Sequence, residues 1–234
     1  MPFAGCAVDN EHLAKLPLFE AKSDTIPGLD PPYVRKKLIR TKGEKGAKAS
    51  DSEKEVLSAQ LMNEYQTSPD PNMRRESVDA LAKIPCPSRD RYIAEILKDE
   101  EPFVRLSALE ALDKTYSGDN AELVSILIDR LKADPDKDVR LAAIRILGKK
   151  VNTKENDALK EQVIGELGDA LYDKVSAVRY ESMQSLHRIT GKDYGNDINR
   201  WMQYIKYQKG EVADLPGERS FTEKIPKIDL PMFK

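Results

Sequence analysis

With 234 residues, 33% of them charged and 40% hydrophobic, the chain has the make-up of a soluble helical protein, one domain with tails. Five Phe, one Trp and twelve Gly argue against a β-rich fold, and a formal charge of −2 gives no general drive towards nucleic acid or an anionic membrane. No apolar run approaches the roughly 18 residues needed to span a bilayer. Two cysteines, Cys6 and Cys86, are too few for a disulfide framework.

Residues 1–49 show no sustained period and are expected to form a flexible N-terminal arm. Pro17, Pro27-Gly28 and Pro31-Pro32 break any helix before it lengthens. Near its start, Phe3-Ala4-Gly5-Cys6 resembles the end of a bacterial lipoprotein signal, in which small residues precede a lipidated cysteine. Cys6 is therefore a lipidation candidate, with the polar stretch after it as a tether. The resemblance implies a cell-envelope location if the true start lies upstream of Met1, and a cytoplasmic one otherwise. The arm ends in a basic run, Arg35 to Lys42 and on through Lys45 and Lys48, which reads as a solvated linker rather than a phosphate or headgroup contact.

Helical pairs follow over residues 50–209. Ser52 with Glu55 fits a capping box, and Val56, Leu57, Leu61 and Tyr65 come at helical spacing. Pro69-Asp70-Pro71 ends that helix and starts its partner, Asn72 to about Ile84. After Pro85-Cys86-Pro87-Ser88, a helix from Arg89 to Lys98 carries Tyr92, Ile93, Ile96 and Leu97, and Pro102 opens the next. Asn120 to Lys132 is apolar on most sides, as the middle of a stack requires. Its partner is expected to end at Gly148, a natural C-terminal glycine. The fourth pair runs from Asp157 to Tyr172 and Val175 to about Thr190. A last helix, Asp197 to Gln208, brings Trp201, Tyr204 and Ile205 to hide the apolar end of the stack. Residues 210–234 form an extended tail in which Pro216-Gly217, Pro226 and Pro231 exclude long helices.

Four stretches within this region repeat one another: DPNMRRESVDALAKI from Asp70, EEPFVRLSALEALDKT from Glu100, DPDKDVRLAAIRILGKK from Asp134 and DKVSAVRYESMQSLHRI from Asp173. Aligned on Arg74, Arg105, Arg140 and Arg179, they step by 31, 35 and 39 residues, the periods of stacked helix-turn-helix units. The residues at −1, +4 and +7 are apolar in all four, and on a helical wheel the arginine falls inside the arc they define. A guanidinium among apolar neighbours is costly unless its donors are satisfied. A structural ladder is therefore expected, with acceptors among upstream carboxylates (Asp136 and Asp138, Glu100 and Glu101, Asp173) or in the adjacent repeat. Aspartate, then Val-Arg, then alternating small and large apolar residues is similar to the HEAT-repeat family in its short bacterial form, over roughly Ser50 to Lys209. The first copy departs, with Met73-Arg74 and Glu76-Ser77. "HRITGKDYGNDINRWMQYI" is more loosely similar to the closing segment of bacterial HEAT-like lipoproteins. The resemblance implies an all-α, right-handed α-α superhelix of about four helix pairs plus a C-terminal cap helix.

Catalytic chemistry has few candidates. The histidines are His12 and His187 alone, and no Cys-x-x-Cys, His-Glu-x-x-His, phosphate loop or nucleophile elbow occurs. No enzyme activity, cofactor, metal or nucleic acid is expected, and a membrane only through Cys6. HEAT-like DNA glycosylases and bilin-lyase subunits supply the alternative reading, an accessory subunit. Against DNA, the +1, +2 and +5 positions carry Arg75 and Arg145 against Glu76, Asp79, Glu110 and Glu181. At +1 the same face holds Leu106, Leu141 and Tyr180 in register. With Arg145 they are the candidate contacts for a protein partner, and a scaffold or adaptor is the function expected.

Overall fold

The computed structural model of the protein describes residues 31–115, 121–151 and 157–217. The chain divides into two units, residues 1–38 and 39–234. Of the first, residues 31–38 are described, and Pro32 onwards forms the opening turns of helix α1, Pro32–Gly46.

In the second unit, four helix pairs follow the end of α1. They are α2 (Asp51–Thr67) with α3 (Pro71–Leu81), α4 (Ser88–Ile96) with α5 (Pro102–Thr115), α6 (Ala121–Ala133) with α7 (Lys137–Lys150), and α8 (Asp157–Asp169) with α9 (Ser176–Thr190). A 3-10 turn, Ala170–Tyr172, tightens the exit of α8, and α10 (Ile198–Gln208) ends the described elements. No strand occurs among the described residues. The second helices α3, α5, α7 and α9 pack on one another in sequence, more extensively than the first helices do. Together the pairs build the HEAT-like solenoid, with one continuous core from Ile39 through Leu61, Leu81, Leu112, Ile144 and Leu186 to Trp201.

Local chemistry explains most boundaries. Asp70 accepts from Asn72 N–H, Asp136 from the N–H groups of Asp138 and Val139, and Asp197 from Arg200 N–H, so each stands as an N-cap. The capping box of α2 lies two residues earlier than expected. Ser50, not Ser52, precedes the helix, and its N–H and Oγ both donate to the Glu53 carboxylate at 3.2 and 2.9 Å. Gly191, at φ 71°, is the left-handed stop of α9.

Two expectations fail for one reason. Gly148 does not end α7, which continues to Lys150, and residues 32–46 are helical rather than a linker. In both places a glycine lets a neighbouring helix or turn pack where a Cβ would stand. A Cβ on Gly43 would stand 2.9 Å from the Ala80 backbone, and one on Gly46 or Gly148 would collide with Ile84 or Ser185. Ile39, Gly43 and Gly46, spaced i, i+4, i+7, form the buried stripe of α1. A count of hydrophobic residues does not register a stripe two-thirds glycine.

Gly43→Ala is expected to cost about 1–3 kcal/mol by overpacking against Ala80. Gly165→Ala, in α8 with open space where its Cβ would go, should instead gain about 0.5–1 kcal/mol. Urea denaturation of the two variants beside the parent chain reads both signs.

Candidate functional site

The repeated arginines lie inside the stack. Arg74, Arg105 and Arg140 are 8%, 5% and 4% exposed, each in the first turns of a second helix. Each guanidinium is held side-on by an aspartate of the following repeat. Arg74 Nε and Nη2 donate to Asp99 at 2.8 and 3.0 Å, Arg105 to Asp134 at 2.8 and 2.6 Å, and Arg140 to Asp173 at 2.9 and 3.1 Å. The remaining Nη1 turns back to the carbonyls of its own preceding turn: Ser68 and Pro69, Asp99 and Glu100, Asp134 and Pro135. The same aspartates accept a backbone N–H two residues on, from Glu101 (2.9 Å), Asp136 (3.0 Å) and Val175 (2.7 Å). One carboxylate thus shapes the turn that starts its own second helix and neutralises the arginine of the repeat before. This satisfies the condition under which a buried ion pair persists.

Asp136, expected in the ladder, is not a rung; it caps α7. The rung carboxylate lies six residues before its repeat's arginine in three copies (Asp99, Asp134, Asp173), and Ser68 holds that place in the first. Asp173, at that −6 register, was among the expected acceptors and is a rung; Asp99 and Asp134, at the same register, were not named. The fourth arginine is unlike the others. Arg179 is half-buried and donates Nη1 to Asp173 O at 2.8 Å, with no carboxylate partner among the described residues.

Electrostatics follows the geometry. Burial alone would raise the Asp99 carboxyl, but Arg74, the Glu101 N–H and the Tyr65 hydroxyl outweigh it and hold it below the usual carboxylate value. Asp173 is lowered in the same way, burial being overcome by Arg140 and the Val175 N–H. Burial, then the bond to Asp99, pushes Tyr65 far up.

On the outward face of the second helices, Leu106 and Leu141 are half-buried against the core, while Tyr180 is 54% exposed. Phe103, missed in the sequence, joins them at 37% exposed, one turn before Leu106. Charged neighbours on this face pair between helices, Arg40 with Glu76 (2.5 Å), Arg145 with Glu181 (3.8 Å) and Lys149 with Asp113 (3.0 Å), and within α9, Arg188 with Glu181 (2.9 Å). Arg40 and Arg188 lie outside the positions counted in the sequence, so the acidic excess read there is largely neutralised. His187 is exposed and donates Nδ1–H to Lys192 O at 2.6 Å. Cys86 is half-buried, its Sγ 3.1 Å from Ser58 Oγ. A cleft of about 510 Å³ between α8 and α10 mixes Lys160, Lys209, Asp157 and Glu161 over Ile164 and Ile205. No group of side chains suited to a metal ion occurs among the described residues, and no helix there is long and apolar enough to cross a membrane. Cys6 lies outside the described residues.

Removing one member of a rung strands the other charge, and Asp134→Ala is expected to cost about 3–5 kcal/mol by denaturant unfolding. The pH dependence has a fixed sign. Asp99 and Asp173 are lowered in the folded chain, so the stability they add is complete above the unfolded carboxylate value of about 3.9. It is lost as pH falls through that value towards the folded ones. Urea midpoints should hold from neutrality to about pH 5 and drop below about pH 4, less steeply in Asp99→Asn, which starts lower.

Among curated proteins, no significant match is found. A solved structure of an engineered protein from a structural genomics consortium superposes at a TM-score of 0.47 with 19% identity, covering 75% of this chain and 78% of that one. A computationally designed armadillo repeat protein for modular peptide recognition superposes at 0.46 with 15% identity, covering 78% and 84%. A family model described as sister chromatid cohesion protein PDS5 matches residues 94–214, just over half of the chain, from the end of α4 past α10. With its stacked helix pairs the chain is a HEAT-like repeat protein, and it belongs to the PDS5 family.

Proposed function

We propose that the protein is a non-catalytic scaffold that docks a protein partner along the outward face of its second helices. Phe103, Leu106, Leu141 and Tyr180 form the apolar strip, with Arg145 at its edge. The observation that carries this reading is Tyr180, a large aromatic side chain 54% exposed in register with the two half-buried leucines. Apolar side chains ringed by paired charges suit a polypeptide, whose burial costs no unmatched charge, better than a phosphate backbone. Membership of a family described by sister chromatid cohesion also favours a part in an assembly over an enzyme. A lipid tether at Cys6 is a separate element of the proposal, motivated by Phe3-Ala4-Gly5-Cys6 and the polar stretch after it. An intact mass of the native protein showing Met1 attached and Cys6 unmodified removes it.

Tyr180 is the better probe of docking, because Leu106 and Leu141 also pack on the core. A photo-crosslinking residue at position 180 is expected to trap a discrete protein adduct in the native extract. The same residue at Val56, 57% exposed on a first helix, should not. Equal labelling at both positions, or none, removes the strip. Once the partner is isolated, Tyr180→Ala should weaken its binding about tenfold or more with an unchanged melting midpoint.

A further inference from the structure

The ladder runs in one direction, and its two ends differ. At the N-terminal end Ser68 stands where Asp99, Asp134 and Asp173 stand in later copies, and no carboxylate is needed there. Gly43 and Gly46 of α1 lie against Ala80 and Ile84, so that end of the second-helix row is covered. At the other end Arg179 offers Nε and Nη2, the two donors that hold the next repeat's aspartate in every earlier rung.

The helix face beside Arg179 is open as well. In the earlier copies the residues five to nine positions after the arginine meet the following second helix. Asp79 accepts from Ser107 at 2.7 Å, Asp113 pairs with Lys149, and Gly148 lies against Ser185. The corresponding residues on α9, Gln184 and His187, instead line a cleft of about 340 Å³ with Tyr180 and Met183. Its other wall is Asp193, Gly195, Asn196 and Trp201. Asp193 there already accepts from Gly195 N–H at 3.0 Å.

From this unfilled rung we infer that Arg179 is a carboxylate-binding point. Its occupant is an aspartate in a turn of a protein partner, which seats beside α9 as another repeat would. The side-on pairing is the one this chain makes three times internally. A second copy of the chain is a poor occupant, because its leading end carries Ser68 and is covered by α1. The inference rests on the unfilled rung rather than on the apolar strip, although Tyr180 of the strip also lines this cleft.

The test follows the arginine Nε–Hε resonances of the full, isotopically labelled chain by NMR. In the protein alone, Arg179 Hε should exchange with water faster than those of Arg105 and Arg140. Comparable protection would mean the chain closes its own rung, and overturns the inference. The probe is the heptapeptide YDKVSAV, residues 172–178, acetylated and amidated so that its single carboxyl is the rung aspartate. Saturable movement of the Arg179 resonance is expected at millimolar peptide, with at least about tenfold weaker response to the Asp173→Asn peptide. An unmoved resonance, or equal response to both peptides, overturns the inference. So does movement with protein concentration alone, which would make the occupant a second copy. Arg179→Gln should keep the parent melting midpoint and abolish the remaining peptide-induced shifts near Tyr180. Shifts that persist in this variant assign binding to the strip instead.

Discussion

Pairing a buried guanidinium with the carboxylate of the next repeat is the constraint on which the stack depends. Each arginine leaves water at considerable cost and recovers it only if the following second helix stands at one height and one angle. The interval from rung aspartate to arginine is six residues in the three copies that have one, while the interval from an arginine to the next aspartate grows from 25 to 29 to 33. Each increment is four residues, about one helical turn. Repeat length therefore varies only between rungs, where an added turn leaves the facing side chains in phase.

The stack must also end, because an uncovered repeat exposes apolar surface. The two ends use different materials. At the start the glycine stripe of α1 brings backbone against α3, so closeness rather than bulk excludes water. At the finish α10 covers the core with aromatic side chains. Tyr194 meets Trp201 edge-on at 4.9 Å and 85°, Tyr204 joins them, and the Trp201 indole N–H donates to Gly195 O at 3.0 Å. This covering reaches the first-helix side through α8 more fully than the second-helix side at α9. Among the described residues, the last arginine has no carboxylate partner.

A scaffold reading fits the distribution of chemistry along the molecule. The strongest electrostatic features are internal and structural, and several surface charges pair between neighbouring second helices. On the outward face of the second helices, Tyr180, Phe103 and the outer edges of two leucines offer apolar and aromatic surface. Such a surface recognises shape and hydrophobic area, with charge supplying register.

Helix pairs, their number and the arginine's place inside the apolar arc could be read from the chain, because side-chain periodicity is a local property of a helix. The cap at Trp201 could also be read, since an aromatic cluster after the last repeat has few other uses. The partners of the arginines were harder to find. Asp99 and Asp134 lie 25 and 29 residues from the guanidinium they hold, and neighbours in sequence such as Asp136 compete on paper without the geometry that separates a cap from a rung. The glycines of α1 and α7 were misread because a glycine that ends a helix and one that admits a close neighbour are the same residue until that neighbour is in place. Local order came from the one-dimensional pattern. Which carboxylate meets which arginine was decided by how the repeats stack, because pairing energy depends on distances that only the folded chain defines.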